Sequence, residues 1–191
     1  MNCYDFDDTI FPGDSSMAFY RFCLLRHKRM MLRWPKQGLA FFRHYVLHSI
    51  EKTAMKEIFY EYFRDIPDME KTVSDFWAQN LSKVKAFYPA QKQVDDVIIS
   101  ASPEFFLEPV CKALGIGCLI ASQVDPKTGH HTGKNCHGEE KVRRFRERLG
   151  DADIENFYSD SLSDTPMAML AKQAWLVRGE VLSPWPTQGK I

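Results

Sequence analysis

Cys3-Tyr4-Asp5-Phe6-Asp7-Asp8-Thr9-Ile10 is the stretch whose reading decides the fold. It begins apolar and aromatic and runs into three acids and a hydroxyl. Side chains alternate across a β-strand, so Asp5 and Asp7 share a side if the strand continues through both. At the carboxyl end of a strand in an open parallel sheet they stand where α/β enzymes bind ligands. Two carboxylates this close repel, and their pKa values separate unless a cation sits between them. Asp-x-Asp alone is equally readable as a polar strand end entering a turn, so the decision falls to the later chain.

Phe11-Pro12-Gly13-Asp14 reads as a turn, with Asp14, Ser15 and Ser16 each suited to cap the next helix. Residues 16–33 carry Met17, Tyr20, Leu24 and Met31 near helical spacing until Trp34-Pro35, read as a break. Further helical segments are expected at 37–50, 52–64 and 68–86. A helical block directly after the first strand reads as an inserted cap over 15–86, leaving 1–14 and 87–191 as the core.

Beyond it the pattern changes. Val94 to Ile99 ends in the buried-strand run Val97-Ile98-Ile99, which delivers Ser100-Ala101-Ser102-Pro103. Ser102 is expected to cap a helix that starts at Pro103 and ends near Gly115. Cys118 to Val124 is a third strand, Asp125-Pro126-Lys127-Thr128-Gly129 a turn, and Glu139 to Leu149 a helix stopped by Gly150. Asn156 to Ser159 is a fourth strand, and residues around Ala174 to Val177 are a fifth. Strands alternating with helices predict an α/β fold with a Rossmann-like, parallel, five-stranded sheet.

The chain has 191 residues with 25 Lys and Arg against 25 Asp and Glu, so bulk charge gives no reason to expect a nucleic-acid partner. Cys3, Cys23, Cys111, Cys118 and Cys136 are odd in number and scattered, which suits reduced thiols and a cytoplasmic setting. Asp5, Asp7 and Asp8 interrupt any apolar leader at the start, and no uncharged run is long enough to span a bilayer.

Four polar sites fall at strand or loop ends: Asp5 with Asp7, Ser100, Lys141, and Asp160 with Asp164. Acids meeting at one edge suit a hard cation with oxygen ligands, magnesium first. A hydroxyl at a helix start beside a lysine suits an anion such as phosphate. A carboxylate nucleophile, a carboxyl proton donor, a metal and a phosphate clamp together spell phosphoryl transfer through an aspartyl-phosphate.

The chain resembles the haloacid dehalogenase superfamily of phosphohydrolases, in the phosphoserine-phosphatase-like branch with a helical cap. Asp5-Phe6-Asp7-Asp8-Thr9, Ile98-Ile99-Ser100, Lys141 in Gly138-Glu139-Glu140-Lys141, and Asp160-Ser161-Leu162-Ser163-Asp164 match its four motifs in order. The resemblance implies that Asp5 attacks phosphorus and ligates magnesium. Asp7 protonates the leaving alkoxide and then activates water, with its carbonyl on the metal. Thr9 and Ser100 hold phosphate oxygens, Lys141 neutralises the Asp5-phosphate charge, Asp160 ligates magnesium, and Asp164 assists through water or by orienting Lys141. Having Asp7 disfavours a true dehalogenase. Ser100-Ala101-Ser102 replaces the Ser-Gly-Gly of phosphoserine phosphatases, and Asp14 stands near where those enzymes grip substrate with Glu, which points away from phosphoserine. Asp8 stands where many relatives carry Gly or Ser.

Other readings compete. His130, His131, Cys136 and His137 have zinc-ligand chemistry but fit no familiar spacing, and the resemblance, whose members carry a similar Gly-x-Asn-Cys-x-Gly loop before the lysine, implies instead a loop lying near the phosphate. From Ser15 to Ile50 there is no acid, yet Arg21, Arg26, Lys28, Arg29, Arg33, Lys36 and Arg43 fall there, interleaved with Trp34, Phe41, Phe42 and Tyr45. The plain reading is a hairpin with a solvated basic face and an aromatic core. The functional reading is capture of an anionic substrate or peripheral contact with an anionic membrane, hence a lipid-phosphate phosphatase of the phosphatidylglycerophosphate type. A catalytically silent binding module would lack one of the motif residues, and none is missing. The expected partner is a small phosphorylated substrate.

Overall fold

Strand β1, Asn2–Tyr4, is only three residues long yet occupies the middle of the sheet, so its flanks must hold it. The computed structural model describes residues 1–186. After β1 the chain leaves the sheet for α1 (Ser15–Arg26), a 3-10 turn, α2 (Trp34–Tyr45), α3 (Lys52–Tyr60), α4 (Met69–Asn80) and the short α5 (Phe87–Gln91). It returns through β2 (Val97–Pro103), α6 (Glu104–Ala113), β3 (Cys118–Ser122), α7 (Glu139–Leu149), β4 (Ile154–Ser159), α8 (Thr165–Ala168), β5 (Ala171–Arg178) and β6 (Val181–Pro184).

The sheet runs β3-β2-β1-β4-β5-β6. All neighbours are parallel except β5 and β6. Six strands therefore replace the five expected. Arg178-Gly179-Glu180 turns the chain back on itself, with Gly179 at φ +60°, and β6 closes the edge as a hairpin.

Alternation places Cys3, Val97, Ile99 and Phe157 on one face with Phe145 and Met167. Tyr4, Ile98 and Tyr158 lie on the other, and Tyr4 stacks on Tyr158 with centroids 4.6 Å apart. That second face shares one aromatic core with the inserted helices. Phe19 of α1, Phe76 and Trp77 of α4 and Phe106 of α6 meet there, and the Trp77 indole donates to the Phe106 carbonyl at 2.6 Å. The 125–129 turn also reaches the insert. Gly129 sits at φ +80°, and a Cβ there would stand 2.5 Å from the Tyr60 carbonyl oxygen. Any larger residue would force the turn off α3.

Several boundaries differ from the sequence reading for identifiable reasons. Trp34-Pro35 opens α2 rather than ending a helix, because proline suits the first helical turn where its missing N–H is not needed. The run 16–33 accordingly splits into α1 and a 3-10 turn. Asp14 is the cap of α1, accepting the Met17 N–H at 2.9 Å. Ser102 is not a helix cap: β2 runs on through Pro103 across an irregular register between Ser100 and Pro103.

Candidate active site

The ladder from β4 continues one residue past β1, where Asp5 N–H donates to the Tyr158 carbonyl at 2.8 Å. Asp5 is thus fixed at the carboxyl edge, between the ends of β2 and β4, as a strand of this type requires of a site residue. Asp7 lies beyond the strand, so the shared side does not come from strand alternation. Asp8 takes φ +52°, a left-handed conformation that aspartate tolerates better than most residues. Its exposed side chain stands at the lining of the cavity described below, with Oδ1 accepting the Gly13 N–H at 2.8 Å. Lys85 Nζ donates to the Asp8 carbonyl and pins this turn from the end of the insert.

Asp5, Asp7, Ser100, Lys141, Asp160 and Asp164 all line one cavity of about 520 Å³ between the sheet edge and the inserted helices. Thr9 does not line it. Its side chain is fully buried, and Oγ1 accepts the Asp160 N–H at 2.9 Å, so it fixes the Asp160 loop where phosphate contact was expected. Its position just past the tight turn at Asp8 directs it inward.

Lys141 sits in the first turn of α7, entered through Gly138 at φ +59°. Its Nζ donates to Asp5 Oδ1 and to Asp164 Oδ2, both at 2.7 Å. Ser159 Oγ also donates to Asp164 Oδ2, at 2.8 Å. Burial opposes the Lys141 charge, but two carboxylates outweigh it and hold the ammonium above its ordinary range. For Asp5 burial dominates and pushes the carboxyl up to about 7, with Lys141 pulling it back and Asp164 and Asp7 pushing further. A divalent cation beside it would reverse that balance.

Asp7 is held differently. Oδ1 accepts the Ser15 N–H at 2.7 Å from the start of α1, and Oδ2 accepts the Ser102 hydroxyl at 2.5 Å. Burial raises its pKa, the Asp14 charge adds to the rise, and the two donors relieve it. Ser100 Oγ accepts the Ser102 N–H at 3.1 Å, so the irregular end of β2 orders both hydroxyls.

Among the described residues no three His, Cys, Asp or Glu side chains form a ready metal shell. Both carboxylate oxygens of Asp7 accept donors, whereas Asp5, Asp164 and Asp160 each keep at least one oxygen without a protein donor among the described residues, and Asp5 with Asp160 is the pair the family resemblance assigns to the metal. Asp160 has no side-chain donor among the described residues, and burial, then Asp8, raises its pKa. Two carboxylates and a backbone carbonyl completed by water are chemically suited to magnesium, which keeps several waters. The histidine-rich loop does not gather into a metal site. His131 is buried beside the Tyr60 ring, the Cys136 N–H donates to Ser122 Oγ at 2.9 Å, and of the four only His137 reaches the cavity.

The wall opposite the motifs comes from the insert. Lys56 of α3 donates to the Ala101 carbonyl at 2.9 Å and to Asn135 Oδ1 at 3.1 Å, and burial brings its pKa down to about 8. Lys52, Phe41, Tyr45, Met55 and Phe59 complete that wall. None of these was singled out for the site chemistry from sequence. The available signal was Lys52 and Lys56 at helical spacing on one face.

The profile of haloacid dehalogenase-like hydrolases matches residues 3–169. Protein CicA of Caulobacter vibrioides is 35% identical over 83 residues, 40% of this chain and 37% of its own length. The protein named "Probable phosphatase Rv3661" of Mycobacterium tuberculosis is 35% identical over 80 residues, 38% of this chain and 28% of its own. The chain thus spans 37% and 28% of the length of these two curated relatives. A histidinol-phosphatase of Neisseria meningitidis is 22% identical across 89% of this chain and 86% of its own. Among solved structures, a Bordetella pertussis protein of unknown function superposes with a TM-score of 0.72 at 19% identity, covering 91% and 87% of the two chains. A phosphoserine phosphohydrolase-like protein of Francisella tularensis gives 0.55 at 13% identity, covering 91% and 86%, which supports the fold alone. With a family profile spanning all four motifs, the chain belongs to the haloacid dehalogenase-like hydrolases.

Proposed function

We propose that the chain is a magnesium-dependent phosphatase that hydrolyses a phosphomonoester of a small metabolite through an acyl phosphate on Asp5. The observation that carries this reading is Lys141, whose ammonium stands between Asp5 and Asp164 in the same cavity as Asp7 and Ser100. The Asp5 carboxylate attacks phosphorus, and the bond from phosphorus to the alkoxide oxygen breaks. Asp7, its pKa raised, hands its proton to that oxygen, as a general acid must at neutral pH. In the second half Asp7 takes a proton from water as the water attacks the phosphorus of the Asp5 acyl phosphate, and the bond from phosphorus to the Asp5 oxygen breaks, releasing phosphate and restoring Asp5. Lys141 offsets the charge gathered on Asp5 and the phosphate, and Ser100 is placed to donate to a phosphate oxygen. Magnesium held by Asp5, Asp160 and the Asp7 carbonyl supplies further charge compensation when bound.

Residues 15–86 act as the cap that excludes water and selects the substrate. The shared phosphatase names among the relatives support the class of reaction and leave the substrate to the cap. A panel of phosphomonoesters tested with magnesium and with chelator decides the matter. Turnover that needs the cation and disappears in Asp5→Asn supports the reading, whereas magnesium-independent turnover, or turnover retained in Asp5→Asn, contradicts it.

A further inference from the structure

The inserted helices carry an outer face that no other part of the described chain covers. Nine of the thirteen large apolar side chains exposed among the described residues lie between Leu25 and Leu47. Leu39, Phe42 and Val46 follow at spacings of three and four, which puts them on one side of α2 and its C-terminal cap. Gln37 and Ala40 are buried on the other side. Leu32, 78% exposed, lies in the turn that leads into α2, and Trp34, 47% exposed, opens the helix. Exposed apolar side chains gathered on one side of a helix and along the turn before it mark an interaction site.

Its charge has one sign. Residues 15–50 hold seven Lys and Arg and no Asp or Glu. Arg33 and Lys36 are engaged by Glu61 and Asp65. Arg21, Arg26, Lys28, Arg29 and Arg43 are exposed and have no ion-pair partner among the described residues.

We propose that this face docks on an anionic phospholipid bilayer, with the α2 stripe in the boundary between headgroups and acyl chains and the unpaired cations among the headgroups. Apolar side chains rimmed by cations are the combination such a surface holds, since apolar burial and attraction to anionic lipid add. Trp34 and Tyr45 are residue types favoured at that boundary. A second copy is the poorer occupant, because a two-fold contact would set this positive face against itself. Tyr45 belongs to both the exposed face and the cavity lining, so the mouth of the cavity opens beside the docked surface.

The test uses flotation of the whole protein with vesicles of phosphatidylcholine, with and without phosphatidylglycerol, at low and high salt. Wild type is expected to float with the anionic vesicles alone, and less so at high salt. Replacing Arg21, Arg26, Lys28 and Arg29 together by Gln should weaken partitioning on the order of a hundredfold or more. Leu32→Ser with Phe42→Ser and Val46→Ser should abolish flotation at any salt. Hydrolysis of p-nitrophenyl phosphate and the unfolding temperature, both unchanged, establish that these variants fold. Wild type that ignores anionic vesicles, or floats equally with neutral ones, overturns the inference. So does a solution dimer that the serine variant splits, which would assign the face to a second copy. The readout is binding, so failure here leaves the phosphatase reading standing, and a protein that floats without turnover would fail that reading instead.

Discussion

The sheet edge and the outer face of the insert treat charge in opposite ways. At the edge Lys141 is shared between two carboxylates, Asp7 is clasped by Ser15 and Ser102, and Thr9 and Arg178 fix the Asp160 loop through its N–H and carbonyl. On the outer face Arg21, Arg26, Lys28 and Arg29 stand exposed beside apolar side chains that are equally uncovered. A buried site tolerates ionised groups only when each has a partner, since an unpaired buried charge costs several kcal/mol. An exposed face has no such requirement. The contrast separates a region whose chemistry is built within the chain from one completed by whatever meets it.

Substitutions at the edge should therefore have large effects tied to partners. Asp7→Asn is expected to lose about 10²–10⁴ in turnover of an alkyl phosphate. The loss in the first, acyl-phosphate-forming step should be smaller for p-nitrophenyl phosphate, whose leaving group needs little protonation. Single-turnover kinetics on the two substrates checks this, and equal losses would take the acid role away from Asp7. Lys141→Ala removes the one cation between two buried carboxylates, so unfolding in urea should reveal a loss of about 3–5 kcal/mol. Lys141→Ala as stable as wild type would break the contrast between the two regions.

The seam between them is expected to respond to pH. His131 is buried beside Tyr60, and burial is the main reason its pKa falls from 6.5 to about 4, with the Lys56 charge adding to it. Between those values the unfolded chain binds the additional proton, so stability rises with pH across that window and is lost as pH falls towards 4. The contribution is about 1–3 kcal/mol. His131→Leu should flatten that part of the urea profile, and an unchanged slope would show that another group titrates there. Asp8→Gly should alter stability and turnover by no more than about 1 kcal/mol. Glycine adopts φ +52° without strain but gives up the bond to Gly13, and the effects oppose each other. A large loss would mean that Asp8 does more than shape the turn.

The contrast also governs what the sequence reveals. That Asp5, Asp160 and Lys141 share one cavity is legible in sequence because apolar strand runs, or the glycine that opens a helix, stop at a polar residue, and that junction is where a parallel sheet presents chemistry. Thr9 was misplaced because a hydroxyl facing a ligand and one facing a backbone N–H look alike in sequence. Ser102-Pro103 has the composition of a helix start, and only the pairing of β2 with β3 shows the strand running on, which turns Ser102 towards Asp7. Lys56 shares an amphipathic helix with Lys52, and nothing local distinguishes a lysine that folds inward onto Asn135 from a solvated one. Trp34, Phe42 and Tyr45 were read as an aromatic core by residue type. They are 47%, 50% and 60% exposed, and only Phe41 of that group is half-buried. Apolar character sets what a residue prefers to meet, and the topology of the insert leaves about half of each of these three side chains uncovered among the described residues, even though the Trp34 indole donates to the Tyr20 hydroxyl and Tyr45 lies against Phe41.

The acyl phosphate on Asp5 is the centre of the account and can be trapped. Asp7→Asn protein, slowed in hydrolysis of the acyl phosphate, is mixed with p-nitrophenyl phosphate and magnesium, quenched in acid, reduced with borohydride and digested for mass spectrometry. The account predicts homoserine at position 5 in the peptide that holds Phe6 and Asp8, dependent on substrate and absent from Asp5→Asn protein. Reduction at another carboxylate, or full turnover with no modified residue at all, would contradict it.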